Sequence, residues 1–228
     1  MDETKIFRRA VVTWASGGAG AAAAAGTARE LADTLPVRTA VLVEGVSDLV
    51  AVETLAARHG RDLEAEGVVV VPLGGVTNIG RFLALLGPRG LDIGLAGLCD
   101  APEEDHFARA LEREGLGSGL TRADMEPLGF HVCVADLEEE LIRALGPARV
   151  QQVIEAQGDL RAWRLFRKQP AQRERTVERQ LRRFMGTISG RKSQYARSLV
   201  DDLDLTHVPR PLDGLLAHLP TRPARASR

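Results

Sequence analysis

Four short apolar runs alternate with helical patterns between residues 39 and 146, and this alternation limits the fold more than any other feature. The runs occupy 41–43, 68–71, 93–99 and 131–134. The helical patterns occupy 47–59, 77–86 and 103–114, and another starts near Asp136. Strands that alternate with helices form a largely parallel sheet between helical layers. The sequence therefore predicts an α/β fold.

The stretch 39–56 reads TAVLVEGVSDLVAVETLA, which predicts a strand, a turn at Gly45 and a helix capped by Ser47. Glu44 then lies at the carboxyl end of the strand and Asp48 in the first helical turn. Open parallel sheets bind ligands at this edge, and paired carboxylates suit a hard divalent cation. The alternative is that Asp48 only stabilises the helix N-terminus and Glu44 is an exposed charge.

More acidic residues follow the later strands. Asp100 ends the third strand, and Asp136 ends the fourth, with Glu138 two residues on. Glu103 and Glu104 lie at a predicted helix start, where acids are also common partners of the helix dipole. Asp100 is thus expected at the same crevice as Glu44.

Composition bounds the function. The hydrophobic content of 44% over 228 residues is ample for a core, whereas aromatics at 4% are too scarce for base stacking to dominate a binding surface. Cys99 and Cys133 lie in apolar runs and are predicted to be buried free thiols. No apolar segment resembles a signal peptide or a membrane span, so we expect no membrane association and a cytoplasmic location.

The net charge of −1 conceals a strong asymmetry. Residues 161–197 carry 12 Lys and Arg but only two acids, which leaves 18 basic and 29 acidic residues elsewhere. This predicts an acidic body joined to a basic arm that contacts phosphates. The basic residues expected to contact nucleic acid are Arg182, Arg183, Arg191 and Lys192. The alternative is a solvated helical face paired with the acidic part of the chain itself.

The two ends of the chain flank the α/β region, which we predict to span 37–146. Residues 1–36 are expected to hold a mobile start and one helix near 21–35. The alternative is a dinucleotide-binding unit in which a strand at 9–14 precedes Gly18, Gly20 and Ala23, with Glu44 on the ribose. Residues 147–220 are predicted to form a basic helical extension with Trp163, Leu165 and Phe166 in its core, and 221–228 a disordered tail.

With these residues in view, the chain resembles the Toprim domain, and within that superfamily the nuclease portion of the OLD (overcoming lysogenization defect) family. The resemblance rests on VLVEGVSD, on Asp100, on ADLEEEL and on GRKSQYARSLVDDL followed by VPRPLDGLL. It extends from about residue 37 to about residue 217 and implies a Toprim-like, largely parallel sheet between helices with a helical C-terminal extension.

The resemblance implies cleavage of DNA phosphodiesters that depends on Mg²⁺ or Mn²⁺ and uses two metals. Glu44 and Asp48 would ligate one metal, and Asp100 would serve the other or bridge them. Glu138, with Asp136 near it, would complete the shell. Lys192 would contact the scissile phosphate and stabilise the charge of the transition state.

The chain departs from the family in two respects. The second acidic element is usually Asp-x-Asp but reads Asp100-Ala101-Pro102 here. Either Glu103 or Glu104 substitutes, or the second metal site is weakened and activity is reduced or lost. The lost second Asp supports the alternative that the protein is a non-catalytic module that binds nucleic acid or an ATPase subunit. OLD nucleases also carry an ATPase domain before the Toprim domain, and no GxxxxGK[ST] motif occurs in this chain. It would act alone or with a separate ATPase subunit, and a homodimer is left open.

Overall fold

A parallel β-sheet forms the centre of the protein. The computed structural model describes residues 2–187 and 190–221. The strands are β1 (Thr39–Val43), β2 (Val68–Pro72), β3 (Gly94–Cys99) and β4 (Phe130–Val132). They are ordered β2-β1-β3-β4, and all neighbours are parallel. The predicted α/β fold with its parallel sheet is confirmed.

Helices cover both faces of this sheet. They are α1 (Glu3–Ser16), α2 (Ala21–Thr34), α3 (Val46–Arg58), α4 (Ile79–Leu86), α5 (Glu104–Arg113), α6 (Arg122–Met125), α7 (Leu137–Leu145), α8 (Pro147–Ala156), α9 (Leu160–Lys168), α10 (Pro170–Arg173), α11 (Val177–Met185), α12 (Arg191–Asp202) and α13 (Arg210–His218). The short helices α6 and α10 were not predicted. Within the described residues, no helix has both the length and the apolar character needed to cross a bilayer.

The two faces of the sheet contribute to separate cores. In β1, Val41 and Val43 pack into a core with α3, α7, α8, α9, α11, α12 and α13. Ala40 and Leu42 point the other way, into a core with α1, α2, α4 and α5. Strands buried on both faces need apolar residues at every position, which explains the continuous apolar runs. Cys99 and Cys133 are buried free thiols in these two cores, as predicted.

The N-terminal residues form a helical hairpin that packs on the sheet. The prediction of a mobile start is wrong, because α1 is capped by the Asp2 side chain and buries Phe7 and Val11. Apolar residues at these positions follow a helical period and cover one side of the sheet. The alternative strand at 9–14 is also wrong, since these residues lie inside α1. The predicted second helix is present as α2.

The C-terminal helices are held against α3 by arginine side chains. Arg58 Nη1 donates to the carbonyl oxygens of Val200 and Leu203, both at 2.6 Å. Arg61 Nη1 donates to the carbonyl oxygen of Leu216 at 2.6 Å. These bonds reach carbonyl oxygens at the ends of α12 and α13, where helical N–H partners run out; the carbonyl oxygen of Val200 also accepts the N–H of Leu203 at 3.2 Å.

Aromatic rings fill the core of the basic extension. Trp163 and Phe166 on α9 pack against Phe184 on α11, with ring centroids 5.3 and 5.5 Å from it, and Tyr195 on α12 lies 6.4 Å from Phe184. Leu165 is 57% exposed, so its prediction as a core residue is wrong. It lies on the face of α9 opposite Trp163. The predicted disordered tail, apart from residue 221, lies outside the described residues.

Candidate metal centre

Three carboxylate side chains meet at the carboxyl edge of the sheet. Glu44, Asp100 and Glu103 each offer an oxygen, and these three oxygens lie within 4.8 Å of one another. All three residues are half-buried. Oε2 of Glu103 is buried and has no hydrogen-bond partner in the described part of the chain. Because hard divalent cations prefer carboxylate oxygens, this group has the chemistry of a metal site.

The parallel sheet explains why these residues meet. Glu44 directly follows β1 and Asp100 directly follows β3, and the two strands are neighbours. After Asp100 the chain enters a 3-10 turn, Ala101–Glu103, with Pro102 near its start. The backbone N–H of Glu103 donates to the carbonyl oxygen of Asp100 at 2.9 Å. The turn brings the side chain of Glu103 back to Glu44 and Asp100.

Asp48 lies beside this group in the first turn of α3. Its Oδ2 accepts a hydrogen bond from the backbone N–H of Gly45 at 2.8 Å. Burial raises the pKa of Asp48 to about 7 against the effect of that bond, and the charges of Glu138 and Glu44 add to the increase. Asp48 therefore stabilises the helix N-terminus and also adjoins the other acids. The alternative in which Glu44 is only an exposed charge is wrong, because Glu44 is half-buried beside Asp100 and Glu103; a role of Asp48 as a metal ligand stays a prediction.

The carboxylates disfavour one another's charged forms. Burial, followed by the charges of Asp48 and Glu44, raises the pKa of Asp100 to about 8. Burial and the adjoining carboxylate of Glu44 raise the pKa of Glu103 to about 7. Like charges held together away from water favour protonation unless a cation neutralises them. The residues present therefore fit a divalent metal.

Comparison with known proteins shows which family part of the chain is similar to. The family model "Overcoming lysogenization defect protein-like, TOPRIM domain" matches residues 37–101. The solved C-terminal region of the Xanthomonas campestris pv. campestris OLD protein is 25% identical with a TM-score of 0.63, over 80% of this chain and 92% of that one. Residues 37–101 thus match the Toprim domain of the OLD family, and the fold is similar to that of the C-terminal region of an OLD protein.

A second OLD structure shares the fold. The C-terminal region of the Burkholderia pseudomallei OLD protein is 22% identical to this protein, with a TM-score of 0.63, over 80% of this chain and 97% of that one. Curated proteins give no match. The sequence resemblance to the OLD family is thus confirmed.

Two further acids lie after β4 and are paired with cations. Asp136 Oδ1 accepts the backbone N–H of Glu139 at 2.8 Å, and its Oδ2 forms an ion pair with Arg182. Glu138 is buried, and its Oε1 lies 3.2 Å from Nζ of Lys192. Burial, the largest single effect, lowers the pKa of Lys192, but the charge and hydrogen bond of Glu138 together with the charges of Asp48 and Asp136 outweigh it, so the pKa is raised. Both cations come from the basic arm.

Asp136 and Asp100 are brought together by the backbone. The N–H of Ala101 donates to the carbonyl oxygen of Ala135 at 3.1 Å, which aligns the segments that follow β3 and β4. The charge of Asp136 accordingly contributes to the raised pKa of Asp100. The acids predicted after three different strands therefore lie at one edge.

Glu104 points away from the three-carboxylate group. Its Oε2 accepts hydrogen bonds from Nη2 of Arg122 at 2.5 Å and from Nε at 3.2 Å. Of the two glutamates that the sequence offered as substitutes for the second Asp, the structure brings Glu103, and not Glu104, to Glu44 and Asp100.

Arg191 is held inside the arm. Its guanidinium donates to Thr187 Oγ1 at 3.0 Å and to Asp159 Oδ1 at 3.4 Å, and it lies 4.5 Å from the ring centre of Phe184. Its side chain is only 10% exposed. In the structure, Arg191 therefore packs within the arm, whereas the sequence predicted that it contacts nucleic acid.

The other predicted basic residues line a groove beside the metal centre. The groove has a volume of about 460 Å³ and is lined by Asp136, Glu138, Arg175, Arg179, Arg182, Arg183 and Lys192. Sequence reasoning did not single out Arg175 and Arg179. The spacing of four residues between Arg179 and Arg183, within one helical pattern, was the signal that these two share a face.

The dinucleotide-binding alternative does not fit the structure. Such a unit needs a strand before its glycines, and Gly18 and Gly20 instead connect α1 with α2. Glu44 lies in the carboxylate group, next to Asp100 and Glu103.

Proposed function

We propose that this protein is a metal-dependent nuclease that hydrolyses DNA phosphodiester bonds at the carboxylate group of its Toprim domain. The observation that carries the proposal is the convergence of Glu44, Asp100 and Glu103, with an unpartnered buried oxygen on Glu103. Similarity to the OLD family supports a nuclease of the Toprim type. Mg²⁺ or Mn²⁺ is the proposed cofactor, because both accept carboxylate oxygens.

The acids would divide between two cations. Glu44, Asp100 and Glu103 would hold one of them, and Asp48, Asp136 and Glu138 adjoin the position of a second. When bound, a pair of such cations supplies an activated water and stabilises negative charge on the phosphate and the leaving oxygen. The hydrogen bond from Gly45 to Asp48 fixes one carboxylate before any ligand binds.

Lys192 would bind the scissile phosphate. Its ammonium group is ion-paired with Glu138 and half-exposed, so it is held at the edge of the carboxylate group and faces the groove. A charged donor at this position stabilises the charge that develops on the phosphate oxygens. Arg182 has the same arrangement with Asp136.

Cleavage of supercoiled plasmid tests the proposal. Wild-type protein is incubated with Mg²⁺, Mn²⁺ or EDTA beside Glu44→Gln, and Glu30→Gln on the exposed face of α2 serves as the matched control. We expect nicking or linearisation that needs metal, is abolished in Glu44→Gln and is unchanged in Glu30→Gln. Thermal melting checks that each variant is folded. Wild-type activity in Glu44→Gln would contradict the proposed centre.

A second candidate function is a non-catalytic module that binds nucleic acid or a separate ATPase subunit. The observation that favours it is Pro102, which occupies the place of the second Asp and cannot ligate a metal. Under this alternative the wild-type protein binds DNA but leaves the plasmid intact with every metal. Sedimentation of the protein alone would test the homodimer as a further proposed partner.

A further inference from the structure

The groove beside the carboxylate group is lined by two chemically different sets of residues. One set is Asp136 and Glu138 with their paired cations Arg182 and Lys192. The other set is three exposed arginines, which are Arg175, Arg179 and Arg183. No carboxylate in the described ranges 2–187 and 190–221 forms an ion pair with any of these three.

These three arginines form a row along α11. Arg179 and Arg183 are four residues apart in the helix, which places their side chains on one face, about one turn from each other. Arg175 precedes the helix, and its Nε donates to the carbonyl oxygen of Ala171 at 3.0 Å. The Thr176 side chain caps α11 by accepting the N–H of Arg179 at 3.4 Å. The row therefore has a fixed backbone that leads toward Lys192.

The lining of the groove favours phosphate over other ligands. Unpaired guanidinium groups bind phosphate oxygens through charge-assisted, often bidentate hydrogen bonds. The described lining contains no aromatic side chain on which a base could stack, and the rings of the arm are buried in its core. Contacts of this kind read the backbone and carry no sequence information.

We propose that Arg175, Arg179 and Arg183 bind successive phosphates of the cleaved strand next to the scissile phosphate, so that α11 guides the strand into the carboxylate group. This inference rests on the proposed nuclease function, which defines the scissile phosphate. The charge of the arm is then used in two ways: Arg182 and Lys192 pair with acids beside the scissile phosphate, and Arg175, Arg179 and Arg183 bind the phosphates that flank it.

Salt dependence of DNA binding tests the row independently of cleavage. An oligonucleotide is titrated with the metal-free protein in EDTA at several salt concentrations, comparing wild type with Arg179→Gln/Arg183→Gln. Each lost phosphate contact should reduce the slope of log K against log salt by about 1, so the double variant should lose about 2. Arg161→Gln/Arg164→Gln, on the exposed face of α9, removes the same charge outside the groove and should change the slope much less.

Oligonucleotides in which one phosphate is replaced by an uncharged methylphosphonate show which phosphates the arginines contact. Oligonucleotides with a single methylphosphonate at successive positions beside the cleavage site should bind wild type more weakly at two or three adjacent positions. At these positions Arg179→Gln/Arg183→Gln should show no further loss. The inference would be overturned if Arg179→Gln/Arg183→Gln and Arg161→Gln/Arg164→Gln gave equal salt slopes. It would also be overturned if the methylphosphonate effects persisted in Arg179→Gln/Arg183→Gln, which is the groove variant.

The two proposals fail in different ways. If wild type cleaves DNA and the groove variant binds with an unchanged slope, the nuclease stands and the arginine row is rejected. If the slope falls by about 2 and wild type never cleaves, the phosphate contacts stand and the nuclease is rejected.

Discussion

At the scale of single residues, Glu103 determines whether the candidate site keeps three carboxylates. The Toprim superfamily usually supplies its second acidic element as Asp-x-Asp, and Pro102 removes the second Asp from this chain. The 3-10 turn that contains Pro102 positions the side chain of Glu103 beside those of Glu44 and Asp100. A longer side chain, starting one residue later, thus supplies the third carboxylate.

We therefore expect Glu103→Gln to lose activity and Glu104→Gln to retain it. Loss of residues around a metal site typically costs about 10- to 100-fold in metal affinity or activity, and loss of a direct ligand should cost at least that. Glu104 pairs with Arg122 outside the group, so its amide variant should cleave like wild type. Mn²⁺ titration and plasmid cleavage measure the difference. The reverse order of effects would make Glu104 the substituting ligand.

Most residues of the candidate site were predictable from the sequence, because each lies just after a recognisable strand. Glu44, Asp100 and Asp136 end apolar runs, and parallel strands bring such ends to one edge. The choice between Glu103 and Glu104 was not readable, since it depends on how one 3-10 turn is oriented. The role of Arg191 was also hidden, because its neighbours Asp159 and Phe184 are brought to it by the folding of the arm.

At the scale of elements, the aromatic core of the arm holds α11 and α12 beside the sheet. Phe184 contacts the rings of Trp163, Phe166 and Tyr195. We expect Phe184→Ala to lower the free energy of unfolding by about 3–5 kcal/mol, because it removes a fully buried ring and leaves a cavity. Leu165→Ala, at an exposed position of α9, should change it by about 0.5 kcal/mol or less. Chemical denaturation of both variants measures these values.

The elements were predicted best where periodicity was strong. All four strands and the helices that follow them were predictable, because apolar runs and amphipathic periods alternate clearly. α1 was not, because its pattern includes Thr13 and charged residues, and its burial depends on the distant strand β2 and on α4. α10 has only four residues and too few positions to show a period. The domain boundaries at 36 and 146 stay predictions.

At the scale of the whole molecule, the basic arm and the acidic edge of the sheet lie next to each other. Asp136 and Glu138 pair with Arg182 and Lys192, so part of the basic arm neutralises the acidic body, as the alternative interpretation of the charge pattern held. Arg175, Arg179 and Arg183, which form no ion pair among the described residues, line the same groove. The pairing interpretation therefore accounts for part of the basic arm, and contact with phosphates stays a prediction for the rest.

The acidic edge should also make the stability of the metal-free protein depend on pH. Asp48 and Asp100 have pKa values raised to about 7 and about 8 from the usual 3.8, so at these two groups the folded state binds more protons than the unfolded state between about pH 4 and pH 8. The stability that these two groups contribute is therefore fully present below about pH 4 and is lost as pH rises through this window.

Asp100→Asn removes one of the interacting charges, and its side chain takes part in no hydrogen bond that caps the following turn. In EDTA at pH 8 we expect this variant to melt several degrees above wild type. Removing the charge should raise the free energy of unfolding by about 1–2 kcal/mol, and each kcal/mol raises the melting temperature of a chain of this size by about 2–4 °C. The two proteins should melt alike at pH 4, where the carboxyl group is largely protonated. Added Mn²⁺ should stabilise wild type at pH 8 more than it stabilises the variant. A melting temperature of metal-free wild type that rises from pH 5 to pH 8, with no gain in Asp100→Asn, would show that repulsion at this edge does not limit stability.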